Sequence, residues 1–90
     1  MAWRIEIEFK AEKELARIDT IVAKRIYKFL YEYLQHVENP RIDGEALKGN
    51  LSHLWRYRVG DYRILTSIED KSLLITAVRI QHRRKVYRNH

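Results

Sequence analysis

Ninety residues, 46% hydrophobic and 33% charged, make a single globular domain over 1–90 with no room for a second core. With no cysteine there is no disulfide framework and no thiolate chemistry; no membrane-length apolar run or signal-like apolar opening occurs, so the cytoplasm is the expected compartment. The net charge of +6 is lopsided, with seven basic and seven acidic side chains in 1–40 against eleven and five in 41–90.

The elements follow in chain order. Trp3, Ile5, Ile7 and Phe9 alternate with Arg4, Glu6 and Glu8, which predicts a half-buried strand over 3–9. From Ala11 the apolar residues Leu15, Ile18, Val22, Ile26, Phe29, Tyr33 and Val37 recur at steps of three and four. That spacing predicts helices over about 11–18 and 20–37, with Asp19-Thr20 as the cap between them and Pro40 closing the second. Residues 39–52 read as a loop anchored by Leu47. Strand-like runs then cover 54–59, 62–68 and 73–80, with Gly60-Asp61 as a two-residue type II′ turn. The expected fold is α+β: an N-terminal strand, a two-helix hairpin and a three-strand antiparallel meander, with the helices on one face of a mainly antiparallel sheet.

The turn at 60–61 sets the hairpin register, and the register sorts the side chains. Val59 falls opposite Tyr62, Arg58 opposite Arg63, Tyr57 opposite Ile64 and Arg56 opposite Leu65. Trp55, Tyr57, Val59, Tyr62 and Ile64 then form an apolar face for the helices, and Arg56, Arg58 and Arg63 share the other. Opposed like charges destabilise a sheet unless something anionic fills the gap. Either a phosphate does so, held by planar guanidinium forks, or carboxylates from elsewhere do, with Glu69 and the acids of the first strand as candidates.

The C-terminal segment adds other chemistry. Residues 79–90 hold five basic side chains, two histidines and no acid. His82 is the residue type suited to proton transfer near neutral pH, and it is expected beside the arginines; the alternative is an idle surface histidine. Tyr87 either donates a proton, stacks on a base, or anchors the segment with Val86. The scattered acids and the cationic face do not suit a divalent metal, and no zinc-finger, Gly-rich phosphate-loop or Ser-His-Asp pattern occurs, so no metal or cofactor is expected. What remains is binding, or metal-free chemistry on RNA, whose own 2′-OH can attack the phosphodiester.

The strand-helix-helix opening, Leu47-Lys48-Gly49, the block from Trp55 to Ile64 and His82-Arg83-Arg84-Lys85-Val86-Tyr87 together resemble RelE-type toxins of the RelE/ParE toxin–antitoxin superfamily. The resemblance implies a RelE-like domain that enters the ribosomal A site and cuts mRNA there. It implies a RelB-like or other small antitoxin as partner beside the ribosome and mRNA, and no membrane. It places catalysis at Arg56, Arg58, Arg63, a basic residue of the terminal segment and Tyr87. Some members carry lysines where Arg56 and Arg58 stand, and a guanidinium is a poor proton acceptor, so either His82 takes over as base or a base matters less than electrostatics. Some members also carry an arginine where Gln81 stands, and Arg83 is the nearest substitute. Lys48, Arg79, Arg84, Lys85 and Arg88 are expected to contact RNA or ribosome. The alternatives are a ParE-like gyrase poison, a non-catalytic RNA-binding module and a homologue that has lost activity.

Overall fold

In the computed structural model, which describes residues 2–84, the opening alternation forms a short strand, β1 (Arg4–Ile7). Trp3 and Ile5 turn into the core. Phe9 does not end the strand; it opens α1 (Phe9–Ala16). Ala11 and Leu15 are the buried residues of this helix, and Phe9 lies about 200° around the axis from Ala11, on the side away from the core. Its ring is accordingly exposed, with the Lys13 ammonium 5.5 Å from the ring centroid.

The second helix begins as expected. The Asp19 carboxylate accepts a hydrogen bond from the Ile21 N–H at 3.1 Å, capping α2 (Thr20–Lys28). The winding then changes to a π-helical turn over Phe29–Tyr33 and a 3₁₀ turn over Leu34–His36. Ile26, Leu30 and Leu34 are all fully buried, in steps of four. Such steps drift around a 3.6-residue helix, and one wider turn brings the last of them back to the core. The Tyr27 hydroxyl donates to Glu12 at 2.7 Å and ties α2 to α1.

Residues 39–52 are mostly loop but contain a two-residue strand, β2 (Glu45–Ala46). The meander follows as β3 (Trp55–Val59), β4 (Tyr62–Glu69) and β5 (Leu74–His82). Gly60 at the first turn has φ +59, as the II′ turn requires. The five strands form one sheet in the order β1-β5-β4-β3-β2; β1 runs parallel to β5 and the other pairs are antiparallel. Both helices cover the face bearing Ile5, Tyr57, Ile64, Ile75 and Ile80. No helix among the described residues is long and apolar enough to cross a membrane.

One irregularity sets which way the side chains of β5 point. Leu65 pairs with Arg79, but the next residue, Thr66, pairs with Ala77, which leaves Val78 as an extra residue in β5. Such a bulge reverses the alternation of side chains beyond it. Ile75 and Ala77 face the core before the bulge, and Ile80 faces it after.

Candidate nucleic-acid interface

The hairpin register is the expected one, with Arg58 directly opposite Arg63 and Arg56 opposite Leu65. On the face away from the helices, β3 contributes Arg56 and Arg58, β4 contributes Arg63, and β5 contributes Gln81 opposite Arg63. Arg56 and Arg63 are half-buried, and Arg58 is exposed. Leu65, flanked by Arg56 and Arg79 across its two ladders, is buried at the centre of this face.

A carboxylate does enter the cluster, but neither of those expected. Glu69 sits at the far end of β4, and the acids of β1 lie on the opposite edge of the sheet. The residue that enters is Glu45 of β2, directly across from Arg56. Its Oε2 forms an ion pair with the Arg56 guanidinium and lies 3.7 Å from that of Arg58. Sequence reading missed it because a two-residue strand has no periodicity to detect.

His82 is not among the arginines. Its cross-strand partner is Tyr62, on the helix side, and the two rings meet edge-to-face at 5.1 Å between centroids. Strict alternation from Ile75 would have put His82 on the arginine face; the Val78 bulge moves it to the other. Its Nδ1 accepts the Arg84 N–H at 3.1 Å.

The other basic residues divide. The Arg79 Nε donates to Glu14 of α1 at 3.0 Å, and the second oxygen of Glu14 accepts the Ile80 N–H at 2.7 Å. β1 ends at the Ile7–Ala77 pair, so Glu14 fills an edge that no strand of the described residues covers, and Arg79 is drawn to it rather than outward. Arg83 extends the β4–β5 ladder through its N–H to the Asp61 carbonyl at 2.9 Å, and its Nε lies 3.6 Å from the Asp61 carboxylate. Arg84 is exposed beside it. Lys48 is exposed in the segment after β2, at the end of β3 remote from the Gly60 turn. Lys85, Tyr87 and Arg88 lie outside the described residues. No three His, Asp or Glu side chains among the described residues converge to hold a metal ion.

Past the end of β2, the edge of β3 opens into a cleft of about 600 Å³ lined by Phe29, Tyr33, Asp43, Glu45, Tyr57 and Arg58 among others. Its far wall is the π-helical turn, which sets Phe29 and Tyr33 in a stack with centroids 5.5 Å apart. Phe29 also meets Tyr57 edge-on at 5.3 Å. The Tyr33 hydroxyl donates to the Asp43 carboxylate, and the Asp43 carbonyl accepts the Trp55 indole N–H at 2.7 Å. The bond to Asp43 raises the Tyr33 phenol above its ordinary value. The Tyr57 hydroxyl is spent on the Pro40 carbonyl, and burial pushes that phenol up as well.

Comparison with known proteins gives a consistent lineage. Residues 5–87 match the family model described as the ParE toxin of the type II toxin–antitoxin system parDE. The chain is 28% identical over 86 residues to the toxin RelE of Mycobacterium tuberculosis, covering 96% of this chain and 87% of that one. Among solved structures it resembles the toxin–antitoxin complex RelBE2 of M. tuberculosis, with a TM-score of 0.83 at 22% identity, covering 92% of this chain and 93% of that one. The archaeal RelE–RelB complex of Pyrococcus horikoshii is similar with a TM-score of 0.73 at 26% identity, over 94% and 99% of the two chains.

Proposed function

The chain belongs to the ParE toxin family of type II toxin–antitoxin systems, as a RelE-type toxin of the RelE/ParE superfamily, and from that premise we propose that it is a ribosome-dependent endoribonuclease. The observation that carries the reading is the arginine face. Arg56, Arg58 and Arg63 share the side of the sheet away from α1 and α2, and the Glu45 carboxylate sits against two of them.

That arrangement suits cleavage of RNA by its own 2′-OH. The 2′ oxygen attacks phosphorus, the 5′ oxygen leaves, and the products are a 2′,3′-cyclic phosphate and a 5′-hydroxyl. The phosphate gains negative charge as the fifth bond forms, and fixed guanidinium groups stabilise that charge more than they stabilise the ground state. The attacking hydroxyl must also lose a proton, and the leaving 5′ oxygen must take one up, from the protonated acceptor or from water. A guanidinium does not accept one, and His82 faces Tyr62. Glu45 is the proton acceptor within reach, because its carboxylate already lies against Arg56 and Arg58. The incoming phosphate competes for the same two guanidinium groups and frees the carboxylate toward the nucleophile.

A small antitoxin is the natural partner, since RelE proteins of M. tuberculosis and P. horikoshii have been solved in toxin–antitoxin complexes. The second reading is a gyrase poison, and it has a specific support: the matching family model is that of ParE. Primer extension on mRNA after induction decides between them. Cuts within translated codons support the ribonuclease; intact mRNA with inhibited supercoiling by purified gyrase supports the poison.

A further inference from the structure

The cleft beside the arginine face has features that phosphate binding does not use. It shares Glu45, Arg56 and Arg58 with the proposed cleavage site, so whatever enters it lies next to the reacting phosphate. One wall is aromatic. Tyr33 is 42% exposed, so one face of its ring is open while the other stacks on Phe29. A π-helical turn, a form frequent at functional sites, presents both rings to the cleft.

The polar groups of the cleft are biased toward accepting. Tyr33 gives its hydroxyl proton to Asp43, and the arginines are turned to Glu45. An ionised carboxylate has about four lone-pair positions, and Tyr33 occupies one of those on Asp43. Asp43 is also held in place from two sides, through its carboxylate by Tyr33 and through its carbonyl by the Trp55 indole. A rigid acceptor beside an open aromatic face is a recognition element for a flat group that carries N–H donors.

We propose that this cleft is a nucleobase subsite, in which a base flanking the scissile phosphate stacks on Tyr33 and gives an exocyclic amino proton to Asp43. Adenine, cytosine and guanine carry such a group. Uracil has two carbonyl oxygens flanking a single N–H and meets the carboxylate with repulsion. The inference rests on the ribonuclease reading and adds to it a residue that selects sequence.

The test is single-turnover cleavage on ribosomes programmed with codons that differ only at the two positions flanking the cut. The parent protein is expected to cleave amino-bearing bases at one position about tenfold faster than uracil, the scale of one good polar base contact. Asp43→Asn should bring that ratio to within about twofold, because its amide can donate to a uracil carbonyl while its oxygen still accepts from Tyr33. Tyr33→Leu should slow all four bases alike by removing the stacking surface, with melting temperature and Trp fluorescence as checks on folding. A parent that cleaves without discriminating, or a ratio unchanged by Asp43→Asn, overturns the subsite and leaves the ribonuclease standing. A parent that cleaves no codon overturns both.

Discussion

Glu45 lies directly across the β2–β3 ladder from Arg56, and its carboxylate bridges toward Arg58 on the same face. Two of the three arginines are therefore already in contact with one anionic group, which offsets the repulsion among like charges on one face. Glu45 is half-exposed on a strand of only two residues. A partly solvated ion pair of this kind is worth little in stability, so a phosphate can displace the carboxylate at small cost.

Arg63 is the arginine across from Arg58 and Gln81, at the middle of the meander. Arg63→Ala should abolish growth arrest while leaving the circular dichroism spectrum unchanged, because in the proposed site it removes a phosphate contact and no core side chain. Charge-assisted contacts of this type are worth roughly 1.5–3 kcal/mol each. Arrest equal to that of the parent at matched expression would remove Arg63 from the site.

Gly44 makes a prediction about stability. Its φ is +78, and a Cβ there would stand 2.4 Å from the Arg56 carbonyl oxygen and 2.8 Å from the Trp55 indole nitrogen. The oxygen belongs to a strand backbone and has nowhere to move. Gly44→Ala should therefore lower the melting temperature markedly, by the order of 1–3 kcal/mol expected for backbone strain plus overpacking. An unchanged thermal midpoint would show that the loop can relax away from β3.

How far the sequence could be read depends on what kind of signal each element carries. The hairpin register was legible residue by residue, because Gly60-Asp61 fixes the turn and alternation does the rest. Phe9 was misread because the last residue of an alternating run and the first of a helix satisfy both patterns. His82 was misplaced by one residue, Val78, which no local pattern marks as a bulge, since register is decided by pairing with β4 and packing against the helices. Glu45 and Asp43 were hidden in a segment with no periodic pattern, where tertiary contacts with β3 and Tyr33 fix these two residues.

Tyr27 supplies a pH prediction. Its phenol is raised from 10.0 to about 12, first by its hydrogen bond to Glu12 and then by burial. An acid whose folded value lies above its unfolded one stabilises the fold below the unfolded value and loses that contribution as pH rises toward the folded value. The Glu12–Tyr27 link should therefore hold up to pH 10.0 and weaken between there and about 12. Ultraviolet titration of Tyr27→Phe against the parent should show the loss of one late-ionising tyrosine; loss of an early one would contradict the assignment.

The antitoxin interface should be electrostatic. The whole excess of +6 falls in residues 41–90, and an acidic or amphipathic segment covering that half would block RNA and ribosome together. Association with the cognate antitoxin should be fast at low salt and slow as ionic strength rises. Rates that do not change with salt would point to an apolar interface on the helix side instead.

The proton acceptor is the sharpest point of the mechanism, because two residues make opposite predictions. If Glu45 takes the 2′-OH proton, Glu45→Gln should slow single-turnover cleavage on programmed ribosomes by about 10²–10⁴-fold, the usual contribution of a general base. Ribosome binding should be unweakened or tighter, since the glutamine no longer competes with phosphate for Arg56 and Arg58. If Glu45 only occupies the phosphate site, the same variant should cleave faster. His82→Ala should stay within about threefold of the parent, under about 1 kcal/mol in barrier, because the imidazole packs on Tyr62 across the sheet from the arginines. A large loss in His82→Ala with a normal rate in Glu45→Gln would return the proton to the histidine. It would also require β5 to shed its bulge when RNA binds, since only then does His82 turn to the arginine face.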